Sequence, residues 1–267
     1  MSDEITEIAR QQGELWSEGG RNWAELAASL LTPVWSACLD CARVTRGCRV
    51  LDIGCGSGEA LTLARLRGAE VAGIDPASDL LGIAQERVPD ADLRRGDMVD
   101  LPYEDDAFDA ALIINSLMFA GDRVKAIREA RRVLTPDGRL GVAVWGEPDA
   151  CEFRHVMKSM VDVLPEPPAG DGPFALSAPG VLKKVLERAE VEPVEEREIP
   201  TRFTCMDEEH YLQSALSGGP GQTVLRQVDE KTVVDALLEA GEKFVQEDGA
   251  YHFENAFRVI AAIPEDN

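Results

Sequence analysis

Positive charge is scarce in this chain. Its 267 residues include 27 Lys+Arg against 49 Asp+Glu, a formal net charge of −22. DNA, RNA and anionic membranes each demand a cationic face, so the imbalance weighs against all three as main partners. Long apolar runs are missing too, and none approaches the roughly 20 residues needed to span a bilayer. The start, Met1-Ser2-Asp3-Glu4, lacks the basic and apolar regions of a signal peptide, which makes a cytoplasmic location the expectation. Histidine occurs only three times, at His155, His210 and His252, in no metal-ligand spacing. Cys38-Leu39-Asp40-Cys41 has no second ligand pair to complete a zinc site. Its cysteines, at i and i+3 of a helical stretch, are expected to share a buried face as free thiols, like the other four. No repeat or low-complexity tract is visible.

What remains is an ordinary globular balance, 45% hydrophobic and 28% charged. The length suits one large domain, or one domain with an appendage, since single cores stop growing near roughly 250–300 residues. From Trp23 to Ala42 apolar residues recur at i, i+3 and i+4, predicting an amphipathic helix capped by Asn22 and bent at Pro33. Ahead of it, Gly19-Gly20 reads as a hinge beside Trp16.

The next hundred residues alternate between short apolar runs and helical patterns. Strands are expected at 48–53, 70–74, 92–95, 109–114 and 139–145, with helices between them. This rhythm predicts a doubly wound, mostly parallel α/β sheet. Beyond Trp145 it breaks. Residues 147–176, with Pro165-Glu166-Pro167-Pro168, read as a loop or lid. A helix at 177–189, a strand at 194–203, a helical excursion at 207–247 and a last strand at 256–263 complete the chain. The expected organisation is an N-terminal helical extension (1–45), a cofactor-binding core (46–146) and a remainder (147–267) with cap insertions at about 147–176 and 205–250.

Val50-Leu51-Asp52-Ile53-Gly54-Cys55-Gly56-Ser57-Gly58 is the most informative stretch. A buried strand runs into three alternating glycines and a helix, so a ligand is expected close to the backbone at the carboxyl end of the sheet. A dinucleotide wants G-x-G-x-x-G, and here the third glycine comes one position early. Asp52 and Glu59 would repel a diphosphate, and no Arg or Lys stands in the turn to offset them. They suit a ligand with cationic centres and no phosphate, such as S-adenosylmethionine. Asp75, about 20 residues on, is placed to bind ribose hydroxyls. Asp97 is placed to accept from an adenine amino group while Met98 packs on the ring.

With Leu101–Asp109 and Val133–Leu140, these motifs resemble the class I S-adenosylmethionine-dependent methyltransferases. The closer likeness is to the small-molecule branch that includes ubiquinone/menaquinone-type and bacterial natural-product enzymes. The match covers residues 45–146. The resemblance implies a seven-stranded Rossmann-like sheet with a reversed last hairpin, N-terminal helices and a helical cap insertion. It implies cofactor contacts at Asp52, Gly54, Cys55, Gly56, Gly58, Asp75, Pro76, Asp97, Met98, Asn115, Ser116 and Trp16, and S-adenosylhomocysteine as product.

Asn115-Ser116-Leu117-Met118 departs from the Asn/Asp-Pro-Pro-Tyr motif of enzymes that methylate base or glutamine amides. With the acidic charge, this favours a small-molecule acceptor over nucleic acid or membrane, for a monomer or homodimer. Met118, Phe119, Trp145, His155 and Tyr211 are the expected acceptor contacts, with His155, then His210, as candidate bases. Trp16 and Trp23 either fold over the cofactor as a lid or form ordinary core. An NAD(P)-dependent oxidoreductase and a non-catalytic cofactor-binding regulator are the alternatives.

Overall fold

Short apolar runs alternating with amphipathic helices have one economical solution, a parallel sheet flanked by helices, and the computed structural model has that form. It describes residues 5–166, 168 and 170–265. Met1–Glu4 and Pro167 of the proline-rich run lie outside the described residues.

The strands are β1 (Arg49–Ile53), β2 (Glu70–Asp75), β3 (Asp92–Arg95), β4 (Phe108–Ile114), β5 (Leu134–Trp145), β6 (Val191–Cys205) and β7 (Tyr251–Pro264). They form one sheet in the order β3-β2-β1-β4-β5-β7-β6. The first five are parallel, and β7 runs antiparallel between β5 and β6. β1 and β4 lie at the centre and are almost wholly buried, as strands covered on both faces are. The order reverses between β1 and β4, and the crevice at their carboxyl ends is the switch point where such sheets bind ligands. β5 begins ahead of the expected 139, taking in Thr135–Gly138 at a register shift against β4.

Helices α4 (Glu59–Leu66), α5 (Ser78–Arg87) and α6 (Arg123–Val133) are the crossovers. α6 starts on Asp122, whose carboxylate accepts from Lys125 N, and buries Ala126, Ile127, Ala130 and Val133 at helical spacing. α8 (Val181–Arg188) precedes β6. The segment read as a loop after Trp145 contains α7 (Arg154–Asp162), which buries Val156 and Met160. Between β6 and β7 stand α9 (Glu208–Ser217), α10 (Gly219–Leu225) and α11 (Glu230–Gly241).

The N-terminal region is less regular than its periodicity predicts. α1 (Glu7–Glu18) and a short turn α2 (Gly20–Asn22) lead into a π-helical turn, Trp23–Ala27, and a 3-10 turn, Ala28–Leu31. Asn22 is helical and caps nothing, while Pro33 sits in the first turn of α3 (Thr32–Cys41), where its missing N–H costs no bond. Gly19 packs directly on the cap. A β-carbon there would lie 2.0 Å from the Ser217 carbonyl oxygen, so this glycine permits a close contact and is no free hinge. Among the described residues no helix is long and apolar enough to cross a membrane.

Candidate active site

The glycine turn closes the carboxyl end of β1. Gly54, Gly56 and Gly58 all take positive φ. At Gly54 a side chain is excluded twice over, by φ of +80° and because a β-carbon would sit 2.6 Å from Ser116. Gly54 N and Cys55 N both donate to the Ile74 carbonyl, at 2.7 and 3.1 Å, binding the turn to β2. The Ser116 hydroxyl donates to the Ile53 carbonyl at 2.9 Å and joins β4 to the same corner.

Two carboxyls lie beneath this turn. Asp75, at the end of β2, accepts from Gly56 N and from Ala77 N, both at 2.8 Å. Burial still raises its pKa to about 6 against the pull of those two N–H groups. Asp52 is 3% exposed, and its Oδ1 has no partner. Burial, with the nearby charges of Asp75 and Glu59, pushes its pKa up to about 8. A buried carboxyl raised this far keeps its proton at neutral pH, and Asp52, expected as a cofactor contact, lines neither of the two spaces that open from this corner.

Glu59 is less free than expected. Ser57 Oγ donates to it at 2.5 Å, and Arg87 of α5 forms an ion pair with it. Arg87 also donates to the Ser57 carbonyl at 3.0 Å and to the Ala24 carbonyl at 2.9 Å. The turn thus does have a cation, brought from 28 residues away by the α5 crossover. That guanidinium is already committed to three oxygens of the protein.

Two adjoining spaces open from this corner. The first, about 740 Å³ counting its mouth, is lined by Gly54, Cys55, Gly56, Asp75, Pro76, Met98, Asn115, Ser116 and Trp16 of the expected cofactor contacts, with Gln12 and Trp35 added. The second, about 680 Å³, is walled by Trp145, Phe153, Met157, Phe203 and Ser214 among others. Trp16, Trp23, Leu31, Asn115 and Phe119 border both. Asn115 stands on this shared wall at φ +55°, a left-handed conformation that Asn tolerates better than most residues. Its N–H donates to the Ala143 carbonyl at 2.8 Å, while its buried Oδ1 has no partner.

Other expected residues lie elsewhere. Gly58 stands at the N-terminus of α4, outside the lining. Asp97 receives Thr6 Oγ1 at 2.5 Å and Val99 N at 3.1 Å, so it anchors the start of α1. Met118 is buried outside both spaces. Tyr211 is fully buried, stacked on Tyr251 at 4.5 Å, and donates its hydroxyl to the Leu237 carbonyl at 2.8 Å. His155 faces an outer groove with Lys158 and Lys243, while its helix turns Met157 and Met160 to the inner space. Partial burial and the charges of Lys243 and Arg154 lower its pKa. His210 Nδ1 accepts from Met206 N at 3.2 Å, which leaves Nε2 to donate to the Leu26 carbonyl at 3.2 Å. That neutral imidazole braces the π-helical turn, and both its nitrogens are occupied.

Thr6, Arg87, Phe153, Phe203 and Ser214 escaped sequence reasoning, since no motif marks them and only the packing brings them here. The residues present fit S-adenosylmethionine: Asp75 stands as an acid able to take hydroxyl donors, the glycine turn leaves its backbone open to a ligand, and Met98 lies in the same lining.

Residues 51–142 match the model of a family described as methyltransferase domain. A 2-phytyl-1,4-naphtoquinone methyltransferase of Synechococcus elongatus is 33% identical over 172 residues, 61% of this chain and 69% of that protein. Methyltransferase GfsG of Streptomyces halstedii is 41% identical over 107 residues, and this chain spans only 38% of its length. The geranyl diphosphate C-methyltransferase of Streptomyces coelicolor, solved with S-adenosyl-L-homocysteine, shares the fold. Its TM-score is 0.58 at 15% identity, over 97% of this chain and 98% of that one.

Proposed function

The chain belongs to the class I S-adenosylmethionine-dependent methyltransferases, and from that premise we propose that it methylates a small-molecule acceptor held in the space beyond Asn115. One observation carries the reading. The acidic glycine turn opens, across a single shared wall, onto a second space lined by apolar side chains.

S-adenosylmethionine, when bound, supplies an electrophilic methyl group on a sulfonium. The chain's part is to bind, align and exclude water. Asp75, oriented by two backbone N–H groups, would receive the ribose hydroxyls, and Met98 would pack beside the adenine. Trp16 meets Trp23 edge-on at 5.0 Å and Phe119 at 5.8 Å, so the three rings keep water from the junction. Alignment alone can supply effective molarities of about 10⁵–10⁸ M, which is the larger share of what a displacement needs.

The division of the chain follows the same logic. Residues 46–146 supply most of the cofactor side, with Gln12, Trp16 and Trp35 of the N-terminal region added. The acceptor side is assembled from residues 1–45 (Trp16, Trp23, Leu31), from 147–176 (Phe153, Met157, Pro173) and from 205–250 (Ser214, Gly218).

Calorimetric titration with S-adenosylhomocysteine and with NADH tests the cofactor, and methyl transfer to a panel of phenols, amines and indoles tests the activity. Uptake of the thioether and indifference to NADH are expected. Tight NADH binding overturns the reading, and thioether binding without transfer to any acceptor reduces the chain to a cofactor-binding regulator.

A further inference from the structure

The second space contains almost nothing polar. Among the described residues that line it there is no Asp, Glu, His, Lys, Arg, Cys or Tyr. Its aromatic walls come from opposite sides, Trp16 and Trp23 from the N-terminal region and Trp145, Phe153 and Phe203 from the sheet and α7. A carboxylate or phosphate brought here would lose its hydration and meet no cation. An ammonium would meet no anion. Either costs several kcal/mol or forces neutralisation.

Besides the indole N–H groups and the Asn115 amide nitrogen, two buried side-chain oxygens stand on this lining without a hydrogen-bond partner. Asn115 Oδ1 is one, an acceptor by nature. The other is Ser214 Oγ, on a residue 6% exposed, beside the buried Cys205 thiol. Unsatisfied buried groups are uncommon in folded proteins, and here both border the same apolar space. A ligand with a hydroxyl satisfies them where a purely hydrocarbon one does not.

We propose that the acceptor is an uncharged, largely apolar ring-bearing molecule whose hydroxyl donates to Asn115 Oδ1. This rests on reading the second space as the acceptor side of a methyl-transfer site. Asn115 is then a specificity-determining residue, fixed by its strand-end backbone at the border with the cofactor.

The test is equilibrium binding by calorimetry to the full chain, alone and saturated with S-adenosylhomocysteine, using 4-hydroxybiphenyl, biphenyl and biphenyl-4-carboxylate. The hydroxyl compound is expected to bind about tenfold tighter than the carboxylate, with biphenyl between them. Asn115→Gly, which tolerates the positive φ, removes the preference for hydroxybiphenyl over biphenyl and keeps the exclusion of the carboxylate. Ser214→Ala, at a helix position where alanine is welcome, narrows the same preference and serves if the glycine variant does not fold. A carboxylate bound as tightly as the phenol, a phenol bound no tighter than biphenyl, or no binding by any of the three overturns the proposal. Failure of S-adenosylhomocysteine to bind, with the biphenyl series behaving as expected in the protein alone, instead overturns the cofactor assignment and leaves the cavity's selectivity standing.

Discussion

Asp52 is a carboxyl that the fold buries without a counter-charge, and pH exposes the consequence. Its pKa rises from 3.8 to about 8 on folding, so between those values the native state binds a proton that the unfolded chain has released. Stability therefore falls as pH rises through this window, and below it the penalty vanishes. The thermal midpoint of the ligand-free protein is expected to drop from pH 5 to pH 8, the span in which this slope acts. Asp52→Asn should flatten that slope and stabilise the ligand-free protein at high pH by about 1–3 kcal/mol. A slope unchanged by the substitution would show that Asp52 is not its source. At His155 the expectation is opposite to the one its sequence position suggests. Its ring lies in the outer groove, so His155→Ala should keep turnover within about twofold, a surface-scale effect. A far larger loss, accompanied by a changed pH–rate profile, would return it to the site.

At the scale of elements, the N-terminal region is tied down from several directions. Thr6 binds Asp97, Glu18 pairs with Arg226 at 2.5 Å, and Asn22 donates to Gln213 at 2.6 Å. These bonds are largely exposed and individually weak. Arg87 differs because it holds the glycine turn and the π-helical turn at once, through Glu59, the Ser57 carbonyl and the Ala24 carbonyl. Arg87→Ala should speed amide exchange across residues 20–31 and lower S-adenosylhomocysteine affinity several-fold. Arg87→Lys should restore only part, since an ammonium does not reproduce a planar fork that spans three oxygens. Exchange in 20–31 that is indifferent to both changes would mean that the cap contacts alone hold the segment. Removal of residues 1–22 takes away Trp16 from both spaces, and turnover should be lost with it. Kinetics like those of the full chain would dispose of the lid.

For the whole molecule, the six thiols report how completely the core excludes solvent. Cys38, Cys41, Cys55, Cys151 and Cys205 are buried, and burial raises the pKa of each. Cys48 is partly exposed. Iodoacetamide at pH 8 should therefore label Cys48 alone in the native protein and all six thiols in guanidinium, counted by mass spectrometry. Rapid native labelling of Cys38 or Cys41 would contradict the packing of α3 on the sheet.

The alternation of strands and helices, the glycine turn and the acids at 52, 59 and 75 were legible in the chain because each depends on local chemistry. Hydrophobic period, positive φ and carboxylates at strand ends all act within a few residues of themselves. Two elements resisted for the same reason. The irregular helix at 23–31 follows from packing against α9, and Gly19 from a carbonyl 198 residues away. Which histidine faces the site depends on how α7 and α9 rotate onto the core, and nearest neighbours do not encode that rotation. The sequence by itself determined the parallel sheet with its crossover helices and the carboxylates around the turn. Only the tertiary structure decided that Arg87 answers Glu59, that His155 faces outward, and that an apolar space meets the cofactor side at Asn115. Each of these is a contact between surfaces far apart along the chain, set by how side chains fill a shared volume.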